Sequence, residues 1–243
     1  MTESAGHRFR LNGADLVAEP DGCLWWPARG LLAVADLHLE KGSAAAAGGQ
    51  LLPPYDSRET IARFARTVAR LGPQRIVCLG DSFHDIGGAS RLGDDERGAL
   101  QALMAGCHWV WVLGNHDPAP PRGLAGEVTD EWVEGGLRFR HEALACPPRQ
   151  VSGGEVSGHY HPKVTLPGRR GSVRGRCFAR AGNRLILPAY GAYAGGLDVF
   201  SPPLARLLGR GAEVYVLAGQ RVLAVRTEAV RRLAGLDPAH ALP

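Results

Sequence analysis

Aspartate and histidine recur in this sequence at spacings that can bring them to one point. They occur as "DLH" (Asp36, His38), "GDSFHD" (Asp81, His84), "GNHD" (Asn115, His116, Asp117), a lone His141 and "GHYH" (His159, His161). These segments hold most of the chain's nine histidines. Carboxylates and imidazoles both offer lone pairs, so two chemistries are open: hydrogen-bonded Asp–His pairs, or ligation of metal ions. Singly, each segment has a structural reading. The Asp36–His38 pair can be a strand-end hydrogen bond, "GNHD" a polar turn, and "GHYHP" a surface loop ended by Pro162. So many in one chain favour a shared site. The donors are carboxylate, imidazole and one amide oxygen, without thiolate. That set suits Mn²⁺, Fe²⁺ or Zn²⁺ and argues against a cysteine-rich structural zinc site. There are too many for one ion; two ions about 3.5–4 Å apart, sharing one carboxylate, would use them all.

Elements must bring these residues together. The apolar runs "GLLAVAD" (30–36), "RIVCLGD" (75–81) and "HWVWVLGN" (108–115) predict buried strands, each ending at a candidate ligand. Residues two apart on a strand share a face, so Asp36 and His38 should aim together, as should His159 and His161. Between the first two runs, Ile61, Phe64, Ala65 and Val68 recur at helical spacing, with Ser57 as N-cap and Gly72 as stop. "DDERGALQALMAG" predicts a second helix. Strands alternating with helices make an α/β sheet, and ligands collect beyond the carboxyl ends of its strands. Further on, "LRFRHE", "EVSGH", "RLILPA", "EVYVLAG" and "RVLAV" predict short strands, with a short helix near 203–209. A second sheet packed on the first follows, within one domain spanning 1–243.

The 243 residues are 45% hydrophobic and 21% charged, ordinary for a soluble globular protein. No apolar run approaches the roughly 20 residues that span a bilayer, and the N-terminus lacks the apolar core of a secretory signal. The five cysteines never occur as CxxC, which predicts free thiols in a reducing cytoplasm. A net charge of +4 mildly favours a polyanionic partner over a membrane. Lys41 and Lys163 are the only lysines. Lys163, Arg169, Arg170, Arg174, Arg176, Arg180 and Arg184 follow "GHYH" with no acidic residue among them. That run reads either as a contact for a phosphate backbone, centred on Arg169, Arg170, Arg174 and Arg176, or as a solvated loop. The Gly/Ala/Pro-rich segment after His38 reads as a site-rim loop or as a flexible connection. Tyr190 and Tyr193 can stack on bases or pack against the second sheet.

In order, "DLH", "GDSFH", "GNHD", His141 and "GHYH" resemble the signature of the calcineurin-like metallophosphoesterases. The resemblance implies a four-layer αββα sandwich with two mixed sheets flanked by helices. It implies Asp36, His38 and His161 on a first metal, Asn115, His141 and His159 on a second, and Asp81 bridging them. It further implies His116 as acid or transition-state stabiliser, Asp117 orienting its ring, and His84 steering His116 or a phosphate. A hydroxide generated between the ions would be the nucleophile, with no covalent enzyme intermediate. "DLHLEKG…LLPPYD", "LGDSFHD", "SGHYHP" and "RLILPAYGAYAGGLDV" are similar to one subgroup, the ligase-associated DNA damage response endonucleases (PdeM). That likeness implies a Mn²⁺-dependent phosphodiesterase acting on DNA beside an ATP-dependent DNA ligase, a helicase and an exonuclease of a bacterial repair system. Two alternatives stand: a phosphoesterase for a small nucleotide or lipid-linked diphosphate, and a non-catalytic binding module on the same scaffold.

Overall fold

The structure, a computed structural model, describes residues 6–50, 52–168 and 171–233. A seven-stranded sheet runs in chain order: β1 (His7–Leu11), β2 (Ala14–Ala18), β3 (Leu24–Trp26), β4 (Leu31–Val34), β5 (Arg75–Leu79), β6 (His108–Val112) and β7 (Glu127–Thr129). Pairing is antiparallel from β1 to β4 and parallel from β4 to β7. The β4–β5 crossover carries α1 (Lys41–Ala47) and α2 (Asp56–Leu71); the next carries α3 (Gly88–Arg91) and α4 (Asp94–Ala105).

The second sheet is built from β8 (Glu131–Glu134), β9 (Leu137–Arg140), β10 (Gly154–Ser157), β11 (Lys163–Gly168), β12 (Gly171–Ala181), β13 (Arg184–Ile186), β14 (Glu213–Ala218) and β15 (Arg221–Arg226). Its order is β15-β14-β12-β13-β10-β9-β8, with β11 paired to β12. β10 is parallel to β9 and β13, and the other pairs are antiparallel. Two short helices, α5 (Pro202–Leu208) and α6 (Thr227–Leu233), complete it.

β4, β5 and β6 read as continuous apolar runs because both their faces are covered. On one face Leu31, Val77 and Val110 meet Phe139, Val156, Phe178 and Tyr215 of the second sheet. On the other, Leu32, Ile76, Trp109 and Trp111 meet Ile61 and Phe64 of α2 and Leu100 and Met104 of α4. Beyond the second sheet, Leu204 and Leu207 of α5 and Val230 of α6 cover Cys177, Ile186 and Val214. The layers are therefore helix, sheet, sheet, helix, with two mixed sheets as expected. Among the described residues no helix is long and apolar enough to cross a membrane.

Three local expectations are corrected. Ser57 does not cap α2, which begins at Asp56; its hydroxyl is bonded to Glu40. The Gly/Ala-rich segment after His38 is partly helical, as α1, because its alanine run favours helix. The described part of the arginine-rich segment is strand rather than loop: Lys163 of β11 lies opposite Arg176 of β12 and Thr165 opposite Arg174, and Arg184 opens β13.

Candidate metal centre

All three central strands stop short of the candidate ligands. β4 ends at Val34, β5 at Leu79 and β6 at Val112, so Asp36, His38, Asp81 and Asn115 stand on the loops beyond. The loop after β4 runs alongside the loop after β5: His38 N–H donates to Asp81 O (2.9 Å), Leu39 N–H to Ser82 O (2.9 Å) and His84 N–H to Leu39 O (2.9 Å). Strand alternation does not aim these side chains. Asp36 (φ 55°), His38 (43°), Asp81 (48°), His159 (70°) and His161 (47°) are all left-handed. Each costs about 1–2 kcal/mol in an L-residue, and such backbone collects where a side chain must be held off its default course.

The side chains converge in two clusters around Asp81. In the first, His38 Nε2 lies 3.2 Å from His161 Nε2. His161 Nε2 lies 3.4 Å from Asp36 Oδ1, and His38 Nε2 3.8 Å from Asp81 Oδ2. In the second, the Asn115 amide oxygen lies 2.8 Å from His141 Nε2 and 2.9 Å from His159 Nδ1. Those two nitrogens are 3.1 Å apart, and His141 Nε2 is 3.4 Å from Asp81 Oδ1. The two oxygens of Asp81 thus face different clusters. Asp36, His38, Asp81 and His141 are buried.

This donor set fits divalent ions. His141 Nδ1–H donates to the Leu79 carbonyl (2.9 Å), which leaves Nε2 as a lone pair among oxygen acceptors. Burial first, then the fields of His161, His116, His84 and Lys41, lower the His38 pKa to about 2, so that ring is a neutral donor. Ligands about 2.1 Å from one ion stand roughly 3.0–3.4 Å from one another, and the separations here scatter around that spacing, from 2.8 Å to 3.8 Å. Acceptors facing acceptors in a buried site are stabilised by a cation.

Two glycines permit the approach. Gly80 (φ 74°) lies under the His141 ring, where a Cβ would come within 2.5 Å of Nδ1. At Gly114 a Cβ would come within 2.3 Å of Asp81 Oδ1.

The remaining candidates sit at the rim. His116 stands edge-on to His38 (centroids 5.1 Å apart) and stacks on His84 (5.2 Å). His116 Nδ1–H donates to the His84 carbonyl (2.7 Å). His84 thus fixes the His116 ring through its backbone, and its own ring nitrogen is close enough to those of His38 and His116 to form a third donor group.

Asp117 does not orient His116. Its carboxylate accepts from the backbone N–H of Asp81 (2.9 Å), Ser82 (2.8 Å), Phe83 (3.1 Å) and Gly114 (3.1 Å), so it binds the β5 and β6 loops to each other. Burial pushes its pKa up to about 6, helped by the charge of Asp81 and opposed by the backbone donors.

Tyr190 is not available for stacking on a base: it is buried beneath α2, edge-on to Phe64. Arg184 is buried as well, spent on Glu155 and the carbonyls of Leu144, Cys146 and Leu207. Arg180 pairs with Glu213. Arg174 and Arg176 donate to the carbonyls of Gly196 (3.0 Å) and Ala189 (2.9 Å). Arg169 and Arg170 lie outside the described residues. Sequence reasoning missed Glu40 and Asp56. Glu40 binds Ser57, and Asp56 accepts from the backbone N–H of Lys41 (2.8 Å) and Gly42 (3.1 Å), tying the β4 loop to α2. The "EKG" and "YDS" that carry this link were legible as polar residues but not as partners.

No curated protein sequence matches the chain. Among solved structures, the crystal structure of Pseudomonas putida nuclease MPE superposes with a TM-score of 0.67 at 24% identity, covering 90% of this chain and 100% of that one. Yfce, a phosphoesterase from E. coli, gives a TM-score of 0.42 at 17% identity, covering 80% of this chain and 97% of that one. The sequence model of the calcineurin-like phosphoesterase (Metallophos) family matches residues 31–218. The chain belongs to the calcineurin-like phosphoesterase family.

Proposed function

We propose that this chain is a dinuclear metal-dependent phosphodiesterase that cleaves the DNA backbone internally. The observation that carries this reading is the split carboxylate of Asp81, whose two oxygens face separate clusters of imidazole and oxygen donors. Asp36, His38 and His161 would hold one ion, Asn115, His141 and His159 the other, and Asp81 would serve both. Bound there, two divalent ions would supply Lewis acidity to a phosphoryl oxygen and make a water more acidic. The chain's own residues do the rest. His116 donates Nδ1–H to the His84 carbonyl, and in its imidazolium form it would also carry the Nε2 proton that the departing oxygen takes. His84 steers that ring. Asp117 keeps the two ligand loops at fixed spacing.

A nuclease as structural neighbour over its whole length supports DNA as substrate. So does the likeness to the ligase-associated endonucleases, which also supports Mn²⁺ as the ion. That likeness further supports a cytoplasmic setting beside a DNA ligase, a helicase and an exonuclease.

The test uses covalently closed single-stranded circular DNA and metal-stripped protein, supplied with Mn²⁺, Fe²⁺ or Zn²⁺. Linearisation by the wild type, and none by Asp81→Asn, is the expected result. Intact circles together with hydrolysis of a generic phosphodiester would keep the centre and replace DNA by a small-molecule substrate. No hydrolysis of either would leave a binding module.

A further inference from the structure

Among the described residues, nine arginines are paired with carboxylates. Arg70 pairs with Glu19, Arg75 with Glu134, Arg91 with Asp85, Arg138 and Arg140 with Glu131, and Arg184 with Glu155. Lys41, Lys163, Arg174 and Arg176 differ. Among the described residues none of them makes an ion pair with a side chain. They gather instead around the loop 189–197, and three of them hydrogen-bond its neutral carbonyls. Lys41 Nζ donates to Tyr193 O (3.1 Å), Arg176 to Ala189 O (2.9 Å) and Arg174 to Gly196 O (3.0 Å). The Lys163 stem lies across Gly196, where a Cβ would come within 2.9 Å of its Cε. A carbonyl orients a cation without neutralising it, so these cations lie around one loop without a salt-bridged carboxylate, Arg176 also feeling the charge of Asp21.

The loop is joined to the metal centre by backbone. Tyr190 N–H donates to Ala35 O (2.9 Å) and Gly191 N–H to Asp36 O (3.0 Å). A Cβ at Gly196 would come within 2.3 Å of the His161 carbonyl. The cations therefore border the Asp36–His38–His161 cluster and not the Asn115 cluster. Lys41 follows His38 by one helical start, tied down by Asp56, and Lys163 opens the strand just past His161.

We propose that Lys41, Lys163, Arg174 and Arg176, held around the loop 189–197, form a seat for the phosphodiester backbone of a DNA strand on the Asp36–His38–His161 flank. The seat engages phosphates next to the one that is cut, because each cation is drawn towards the loop and none hydrogen-bonds a cluster residue. It orients the strand and leaves the bond-breaking to the centre. This rests on the reading of the chain as a DNA phosphodiesterase, and the test separates the two.

Binding is read on the full chain, metal-stripped in EDTA, by fluorescence anisotropy of a labelled single-stranded oligonucleotide over a salt series. Each lost phosphate contact lowers the slope of log K against log salt by about 0.7 for a single strand. Lys163→Ala and Arg174→Ala are each expected to weaken binding several-fold at low salt and lower the slope by one contact; the double variant lowers it by two. Lys163→Arg restores the slope. Arg174 is exposed at the hairpin edge, so its removal leaves the core intact even if Lys163→Ala folds poorly. An unchanged slope in Arg174→Ala and in the folded Lys163 variants overturns the seat. Wild-type protein that shows the slope but hydrolyses no phosphodiester with any divalent ion overturns the catalytic reading and leaves the seat standing.

Discussion

Each ligand cluster joins two histidines to one oxygen-bearing side chain, Asp36 or Asn115, but the two are held by different means. In the Asn115 cluster, His141 is fixed from behind: Nδ1–H reaches the Leu79 carbonyl at the end of β5, and the ring lies on Gly80. The backbone sets both its tautomer and its aim. In the Asp36 cluster, His38 Nε2 faces the centre while Nδ1 has no hydrogen-bond partner among the described residues. Its aim comes from burial and from left-handed backbone at Asp36, His38 and His161. A hydrogen bond behind a ligand tunes its basicity and holds it when the ion leaves. Burial holds the ring in place but leaves its tautomer to the ion. One cluster is organised by a strand and the other by the loop beside α1 and α2, and substitutions can separate them.

The largest effect belongs to the residue they share. Asp81→Asn replaces one of the two facing oxygens by an amide NH₂ and removes the charge that both clusters share, so it breaks the link between them and weakens both. Hydrolysis of a generic phosphodiester should fall by about 10³-fold or more, beyond the 10–100-fold that follows loss of an outer-shell partner. Bound metal, counted by mass spectrometry, should drop well below two ions per chain. Full activity in this variant would sink the shared-carboxylate assignment. His116→Ala comes next and touches the rim alone. Turnover should fall by about 10²-fold, the low end for a general acid, with metal content unchanged. Metal loss there would move His116 into the Asp36 cluster, beside His38 and His84.

Asp117→Ala tests the scaffold between the clusters. Its carboxylate gathers backbone donors from the β5 and β6 loops, and without it those N–H groups lose their acceptor. A loss of about 2–3 kcal/mol is expected. The melting temperature should fall by roughly 5–10 °C. Asp117→Asn keeps one acceptor oxygen and should lie between. A variant that melts with the wild type but loses activity would return Asp117 to the chemistry.

The centre was legible in the sequence because its residue types are rare in combination: "DLH", "GDSFH", "GNHD" and "GHYH" name the converging side chains directly. The layered fold was legible because β4, β5 and β6 are apolar throughout and α2 is apolar on one face. What was not legible lies in relations between distant positions. Nothing local says that Asp117 addresses the Asp81 backbone rather than its neighbour His116. Nor does anything local say that Arg180 and Arg184 are spent on Glu213 and Glu155 while Arg174 and Arg176 stay unpaired. One arginine run thus divides between interior and rim. The strand ends also misled, since i, i+2 spacing suggested a shared strand face where the backbone is left-handed instead.

The smallest expected effect isolates the support of the Asp36 cluster. Ser57 Oγ accepts from the Glu40 N–H (2.8 Å) and donates to Glu40 Oε1 (2.7 Å), fastening the residue that follows the His38 loop to the first turn of α2. Glu40 is itself left-handed (φ 64°), so the bond holds backbone that relaxes when released. Ser57→Ala removes both bonds and should cost about 1 kcal/mol, in the range of a lost helix cap. For a chain of this size that is about 2–4 °C in melting temperature. The diagnostic is where the loss falls. Metal titration should weaken for one ion and not the other, because Asn115, His141 and His159 do not depend on α2. Equal weakening of both ions would mean that the loops after β4 and β5 move as one, and that the contrast between the clusters is only local.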